Sequence, residues 1–257
     1  MAVSSLSGST TASLVAALSG ASQASSASGS ASATSAALAR PSARLQQETD
    51  SARVKLSAFG QVQSAAAQVQ SSSRALQNSA RITNADEAKK VAEQFVSAFN
   101  TERAALQGAT QSASRGQAAG ALAGDGRAQV AATQLQQLTG ANASSLQAAG
   151  INVQQDGSLA VDAKAIQTAF QQNPQAAVQA LGNVGRAAET MAVRQLGATG
   201  AVGSAVLSLG NRVQNLEERQ SDMQTRAAQA QQAIDSASRR YGFGVSGTNA
   251  YTGIFGL

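Results

Sequence analysis

The sequence predicts a mainly α fold: a long antiparallel helical hairpin or coiled-coil bundle with one small β-hairpin and termini that stay disordered until assembly. Three observations carry this expectation. Ala and Gln abound while only 2 Pro occur in 257 residues, a composition that favours helix over strand. Two long stretches, one early and one late, repeat apolar residues at three- and four-residue steps, the spacing of one helix face. A single block around Asp156-Gly157 alternates on the two-residue period of a strand.

Residues 1–39 carry no charged side chain and are rich in Ser, Ala, Gly and Thr. Too few bulky groups are present to offset the entropy of ordering, so this stretch is predicted to be a disordered export or assembly segment. Its apolar patch, Leu14, Val15 and Leu18, suits a short helix formed against a partner.

Arg40-Pro41 predicts a break, with Ser42 capping the first long helix. Leu56, Phe59, Val62, Ala66, Val69, Ser73 and Leu76 form its stripe. A second helix is predicted from Asn84, whose side chain caps it while Glu87 closes the box; Val91, Phe95, Phe99 and Leu106 make its buried face. Residues 127–149 read as a shorter helix carrying Val130, Leu135, Leu138 and Leu146, interrupted around Gly140 and stopped by Gly150.

Ile151, Val153, Leu159 and Val161 flank the turn dipeptide Asp156-Gly157 and predict a hairpin near 151–161. Asp162 then caps a helix to about Phe170, and Asn173-Pro174 starts another with a cap followed by Pro at the first helical position. The Gly-interrupted stretch 182–204 reads as a flexible connection with some helix.

The longest regular pattern follows. Val206, Leu209, Val213, Leu216, Gln220, Met223, Ala227, Ala230, Ile234, Ala237 and Tyr241 form a heptad seam. Neither this seam nor the first is sufficient alone, because Ala, Ser and Gln dilute both; pairing the two helices antiparallel satisfies both. A helical domain over 40–241 therefore stands between the N-terminal segment and a Gly-rich tail, 242–257. With Tyr241, the tail residues Phe243, Tyr251 and Phe255 are four of the eight aromatics of the chain. The tail reads either as an end without structure of its own or as an element that docks on another subunit or a chaperone.

Composition removes most chemistry. The chain has no Cys and no His, which excludes thiol and imidazole catalysis, disulfides and the usual zinc ligand sets. Aromatics make up 3% of the residues, too few to wall a substrate pocket. Asp125, Asp156 and Asp162 are the carboxylates to weigh for a glycosidase-type pair, and a turn residue and helix caps account for them better. No catalytic, cofactor-binding or metal residue is predicted, and no cofactor.

The formal charge of +5 comes from scattered Lys and Arg, with Lys89-Lys90 and Arg239-Arg240 the only adjacent pairs. No aromatics are interleaved with them to stack bases, so no nucleic-acid partner is expected. No apolar run approaches the roughly 20 residues of a membrane-spanning helix. The basic start of a secretory signal is also missing, so export without a Sec signal is expected.

Several local runs, in order, resemble the flagellar filament cap family, the hook-associated protein 2 family. Gly8-Ser9 ahead of Leu14, Val15 and Leu18 resembles its N-terminal signature, and Lys55 to Ser64 its first long helix. Phe95-Val96 with Phe99-Asn100, then Gly120 to Asp125, resemble its Phe-Val helix and its Gly-x-Leu-x-Gly-Asp turn. Ala149-Gly150-Ile151 with Asp156 to Leu159 and Asp162 resembles its hairpin block, and Asn173-Pro174 and the terminal heptad helix close the series. A large β-rich insertion of that family is missing here, where Ala80 to Asn84 stand, and the Gly-aromatic tail departs from the family.

The resemblance implies an extracellular protein of the bacterial flagellum, exported through the flagellar type III channel, that supports filament assembly by oligomerising. Its implied partners are other copies of itself, flagellin or other axial proteins, and an export chaperone. Interface positions expected on this reading are Leu56, Phe59, Val69 and Leu76 against Val206, Leu209, Val213, Leu216 and Met223, with Phe95 and Phe99 behind them. The alternative is a secreted or surface-coating amphipathic helical protein, adhesin-like or granule-associated; the hairpin block discriminates, since a simple coat helix has no use for it.

Overall fold

A computed structural model describes the backbone from Ala27 to Phe255, with side chains over 40–233 and at Ser236 and Arg239. Among these residues the fold is mainly helical. The order is α1 (Ala27–Gln77), a 3-10 turn (Ser79–Arg81), α2 (Ala85–Thr110), α3 (Gly126–Ala141), α4 (Ala143–Ala148), β1 (Ile151–Val153), β2 (Leu159–Val161), α5 (Ala163–Gln172), α6 (Pro174–Leu196) and α7 (Ala201–Phe255). Two units divide the chain. One is Gln46–Glu218; the other comprises Met1–Leu45 and Arg219–Leu257.

Capping chemistry sets the helix starts of the larger unit. Asn84 Oδ1 accepts from the Glu87 N–H at 2.9 Å. The returning Glu87 carboxylate takes the Thr83 N–H at 2.8 Å, one residue before the cap, so the box closes one position early. Asp125 accepts from the N–H groups of Arg127 and Ala128, Asp162 from Ala165, and Asn173 from Ala176 ahead of Pro174.

The hairpin pairs Ile151 with Val161 and Val153 with Leu159. Its loop is closed by Gln154 N–H on Ser158 O at 2.7 Å and by Gly157 at φ +81°. Ile151 and Leu159 enter the core while Val153 stays 42% exposed.

The core joins residues distant in sequence: Phe59, Val62, Val69 and Leu76 of α1, Phe95, Phe99 and Leu106 of α2, Leu122, Leu135 of α3, Leu146, Ile151, Leu181 and Val184 of α6, and Val202 and Ala205 of α7. Phe95 and Phe99 lie with ring centroids 6.3 Å apart in a tilted pair. On α1, the buried residues Thr49, Ala52, Phe59, Val62, Ala66, Val69, Ser73 and Leu76 trace one stripe. Here small and polar residues at stripe positions let neighbouring helices approach closely.

Helices α1 and α7 run antiparallel within this unit. Arg53 Nη2 of α1 lies 2.6 Å from Glu217 Oε1 of α7, and Gly185 of α6 touches Ser73 of α1. From Gly185 the chain can reach only about 35 Å to the start of α7. A parallel α7 would begin about 54 Å back along α1 from Ser73, out of reach. The antiparallel sense sets Ala201 near Val69, where Val202 and Ala205 join the same core as Val69.

In the other unit, Arg40 to Arg44 are exposed and Leu45 is half-buried. Along its part of α7, Gln220, Met223, Ala227 and Ala230 are half-buried while the residues between them are exposed. That alternation is the heptad seam expressed as accessibility.

Several expectations differ from what is found. Pro41 lies inside α1 and does not break it. Its fixed φ near −65° is itself helical, so the helix continues at the loss of one backbone bond and some crowding. The backbone is already helical from Ala27, and the expectation for residues 1–26 falls outside the described residues. The stretch 182–204 is no flexible connection. It holds the second half of α6, a four-residue link and the start of α7, with Gly182, Gly185, Gly200 and Gly203 all buried.

At Gly200 a Cβ would stand 2.0 Å from the Arg194 carbonyl oxygen, so the tight link requires Gly there. Val130, expected on the buried face of α3, is 50% exposed, while Ala128 and Ala131 are buried instead. The break near Gly140 comes at Asn142, which caps the end of α3 by donating from Nδ2 to Leu138 O at 2.9 Å. The tail backbone continues α7 to Phe255: Gly is a weak helix former but, unlike Pro, keeps its N–H.

Candidate functional site

The three carboxylates that could have served catalysis are each engaged in local structure. Asp125 and Asp162 hold helix starts. Asp156 accepts from the Ser158 N–H at 2.9 Å and the Ser158 hydroxyl at 2.6 Å. Its other oxygen takes Arg103 Nη2 of α2 at 3.0 Å. The Ser158 hydrogen bonds, with Arg103 beside them, hold its carboxyl below the usual aspartate value. An acid so stabilised in its charged form is a poor proton donor near neutral pH.

An open groove of about 540 Å3 runs between α1 and α2, lined by Gln68, Ser71, Ser72 and Ala75 on one wall and by Lys90, Glu93, Gln94, Ser97 and Ala98 on the other. None of its lining residues is aromatic. Among the described residues no cluster of three or more metal-ligating side chains occurs.

What the fold does build is a set of helix-packing contacts. Of the interface residues expected from sequence, Phe59, Val69, Leu76, Phe95 and Phe99 are wholly buried and Leu216 is buried. Leu56, Val206, Leu209, Val213 and Met223 are half-buried. The side chains of Tyr241, Phe243, Tyr251 and Phe255 lie outside the described residues. Asp156, Gly157 and Asp162 sit at the hairpin turn and at the following cap.

Ion pairs and amides fix how these helices meet. Arg74 Nε and Gln77 Nε2 of α1 grip the two oxygens of Glu189 on α6 at 2.7 and 2.6 Å. Arg74 first, then Gln77, hold the Glu189 carboxyl below its ordinary value. Arg127 of α3 donates to the Ser208 hydroxyl of α7 at 2.6 Å. The hairpin is pinned by Asn100 of α2, whose Oδ1 accepts the Leu159 N–H and whose Nδ2 donates to Leu159 O, both at 2.9 Å.

Sequence reasoning missed three of these features. Asn100 follows Phe99 on the buried face, and a carboxamide beside a core aromatic is the signal for a backbone clamp. Gly182 and Gly185, three residues apart, read as flexible although they share one helix face. Glu102 falls on the stripe of Phe95, Phe99 and Leu106, yet its charge argued for the surface. It is wholly buried.

The family model described as flagellar hook-associated protein 2 C-terminus matches residues 72–243. That range runs from the end of α1 through most of α7. No curated protein and no solved structure matches the chain.

Proposed function

The chain belongs to the flagellar hook-associated protein 2 family, and from that premise we propose that it is a filament-cap-like structural subunit that supports filament assembly by helix packing and self-association. The observation that carries this is the match over residues 72–243, which includes the hairpin, its clamp and the helices that bury them. The Arg53–Glu217 and Arg74–Glu189 pairs support it, because a subunit that bears load needs its long helices held in register.

Assembly on this reading uses the outer part of α7. Gln220, Met223, Ala227 and Ala230 form a half-buried seam that ends in small side chains, suited to packing by a second helix. The aromatics Tyr241, Phe243, Tyr251 and Phe255 then supply docking contacts to another copy, to flagellin or another axial protein, or to an export chaperone. The working location is outside the cell, on the flagellum. Catalysis has no part in it. A simple coat helix would not need the hairpin that Asn100 clamps.

Deleting the gene in its host tests the reading. A cap-like subunit predicts short or missing filaments, with unassembled flagellin in the culture medium, restored by the intact gene. Filaments of normal number and length in the deletion strain would reject it.

A further inference from the structure

Glu102 lies on the buried face of α2, three residues after Phe99 and four before Leu106, with no solvent exposure. Neither of its carboxyl oxygens has a hydrogen-bond partner. Gln195 of α6, also without exposure, lies within interaction reach of that carboxyl. Its Nε2 donates to Ala131 O of α3 at 3.2 Å, and its Oε1 has no donor either. The bond to Ala131 fixes the direction of the amide, since a flipped one would set two acceptors face to face.

Three buried acceptor oxygens, two on Glu102 and one on Gln195, are thus left without a donor. A proton on Glu102 supplies one. We propose that Glu102 is carried as the neutral acid, its O–H donating to Gln195 Oε1, so that one proton braces α2 to α6 and, through Gln195, to α3. The brace is a latch, closed by acid and opened as the pH rises.

Burial is the main influence on this group and pushes its pKa from 4.5 up to about 8, with Gln195 pulling more weakly the other way. The elements packed on α2 include β2, α3, α5 and α6, with α1 across the groove. Their titratable side chains in this unit are Arg127 on α3, Lys164 on α5, Arg186, Glu189 and Arg194 on α6, and Asp50, Arg53, Lys55, Arg74 and Glu48 on α1; β2 has none. None of them acts on Glu102, whose influences are burial and Gln195 alone. On α2 itself, Arg103 is turned to Asp156. Thus no counter-charge offsets an ionised Glu102.

The folded chain therefore holds one proton more than the unfolded chain between pH 4.5 and about 8. Stability from this group is complete below that window, falls as pH rises through it, and is gone above it.

The test compares urea unfolding of the full chain with its Glu102→Gln variant from pH 5 to 9. The variant keeps a neutral donor for Gln195 and cannot ionise. The ratio of the wild-type unfolding constant to that of the variant should climb by up to about tenfold per pH unit below pH 8 and then level off. Parallel curves would overturn the proposal. If the variant fails to fold, carbon NMR of carboxyl-labelled Glu in the wild-type chain decides. One carboxyl titrating near pH 8 supports the latch, and all Glu carboxyls titrating in the ordinary range of about 4 to 5 overturn it.

Discussion

Gly185 of α6 faces Ser73 of α1 so closely that a Cβ on Gly185 would stand 2.6 Å from the Ser73 carbonyl oxygen. The same Cβ would lie 2.9 Å from Gln77 Cγ and 3.0 Å from Leu76 Cβ. The side-chain-free backbone of Gly185 thus packs on the Ser73 carbonyl and on the side-chain carbons of Leu76 and Gln77. Arg74 and Gln77 then close over Glu189 one helical turn further on. A contact to which α6 brings no side chain and a contact made only of side chains together fix where α1 rests, and α1 carries the stripe that α7 runs beside.

Gly185→Ala should accordingly destabilise the fold by about 1 to 3 kcal/mol, because the obstructing atom is backbone and cannot step aside. Gly210→Ala on α7 is the control. Nothing lies within 4 Å of its added Cβ, so better helix propensity should leave stability unchanged or raised by up to about 1 kcal/mol. Urea midpoints at constant slope separate the two outcomes.

Asn100→Ala should cost about 1 to 3 kcal/mol, since it strands the N–H and the carbonyl of Leu159 in a half-buried place. The loss should be local first. Amide exchange is expected to quicken over residues 151–161 at denaturant levels where α2 and α6 remain protected.

Phe95→Ala should cost about 3 to 5 kcal/mol, because the ring is wholly buried against Phe99 and leaves a cavity. Val130→Ala, at a position 50% exposed, should stay within about 0.5 kcal/mol of wild type. Equal losses at the two sites would contradict the placement of α3.

Much of this was legible because local chemistry decides it. Asn84, Asp162 and Asn173 each cap the helix their sequence context announced, since a short oxygen-bearing side chain has few better uses before an apolar run. The seam from Val206 to Ala230 appears in the structure as alternating exposure for the same reason: period and face are one quantity on a helix. What remained hidden depends on contacts between residues far apart in sequence. Gly185 looks flexible until Ser73 arrives beside it, and Glu102 looks like a surface charge until the fold buries it. Pro41 shows the opposite limit, a strong local signal that the surrounding helix outweighs.

Acid should loosen the hairpin only below the pH range in which it tightens the core. Asp156 has its carboxyl lowered from 3.8 by Ser158 and Arg103. Its contribution is therefore present above pH 3.8 and is lost as pH falls through the lower folded value. Hairpin amides should exchange faster below that point in wild type, and Asp156→Asn should abolish the acid dependence. An unchanged acid response in the variant would assign it to another carboxylate.

The most direct test of the cap-like role is where the purified chain binds on isolated filaments of its own host. Gold-labelled chain added to sheared filaments, viewed by negative-stain electron microscopy, should be found at filament ends, and truncation after Tyr241 should reduce that labelling. Label spread along the filament walls, or no binding at ends that still accept flagellin, would contradict the account.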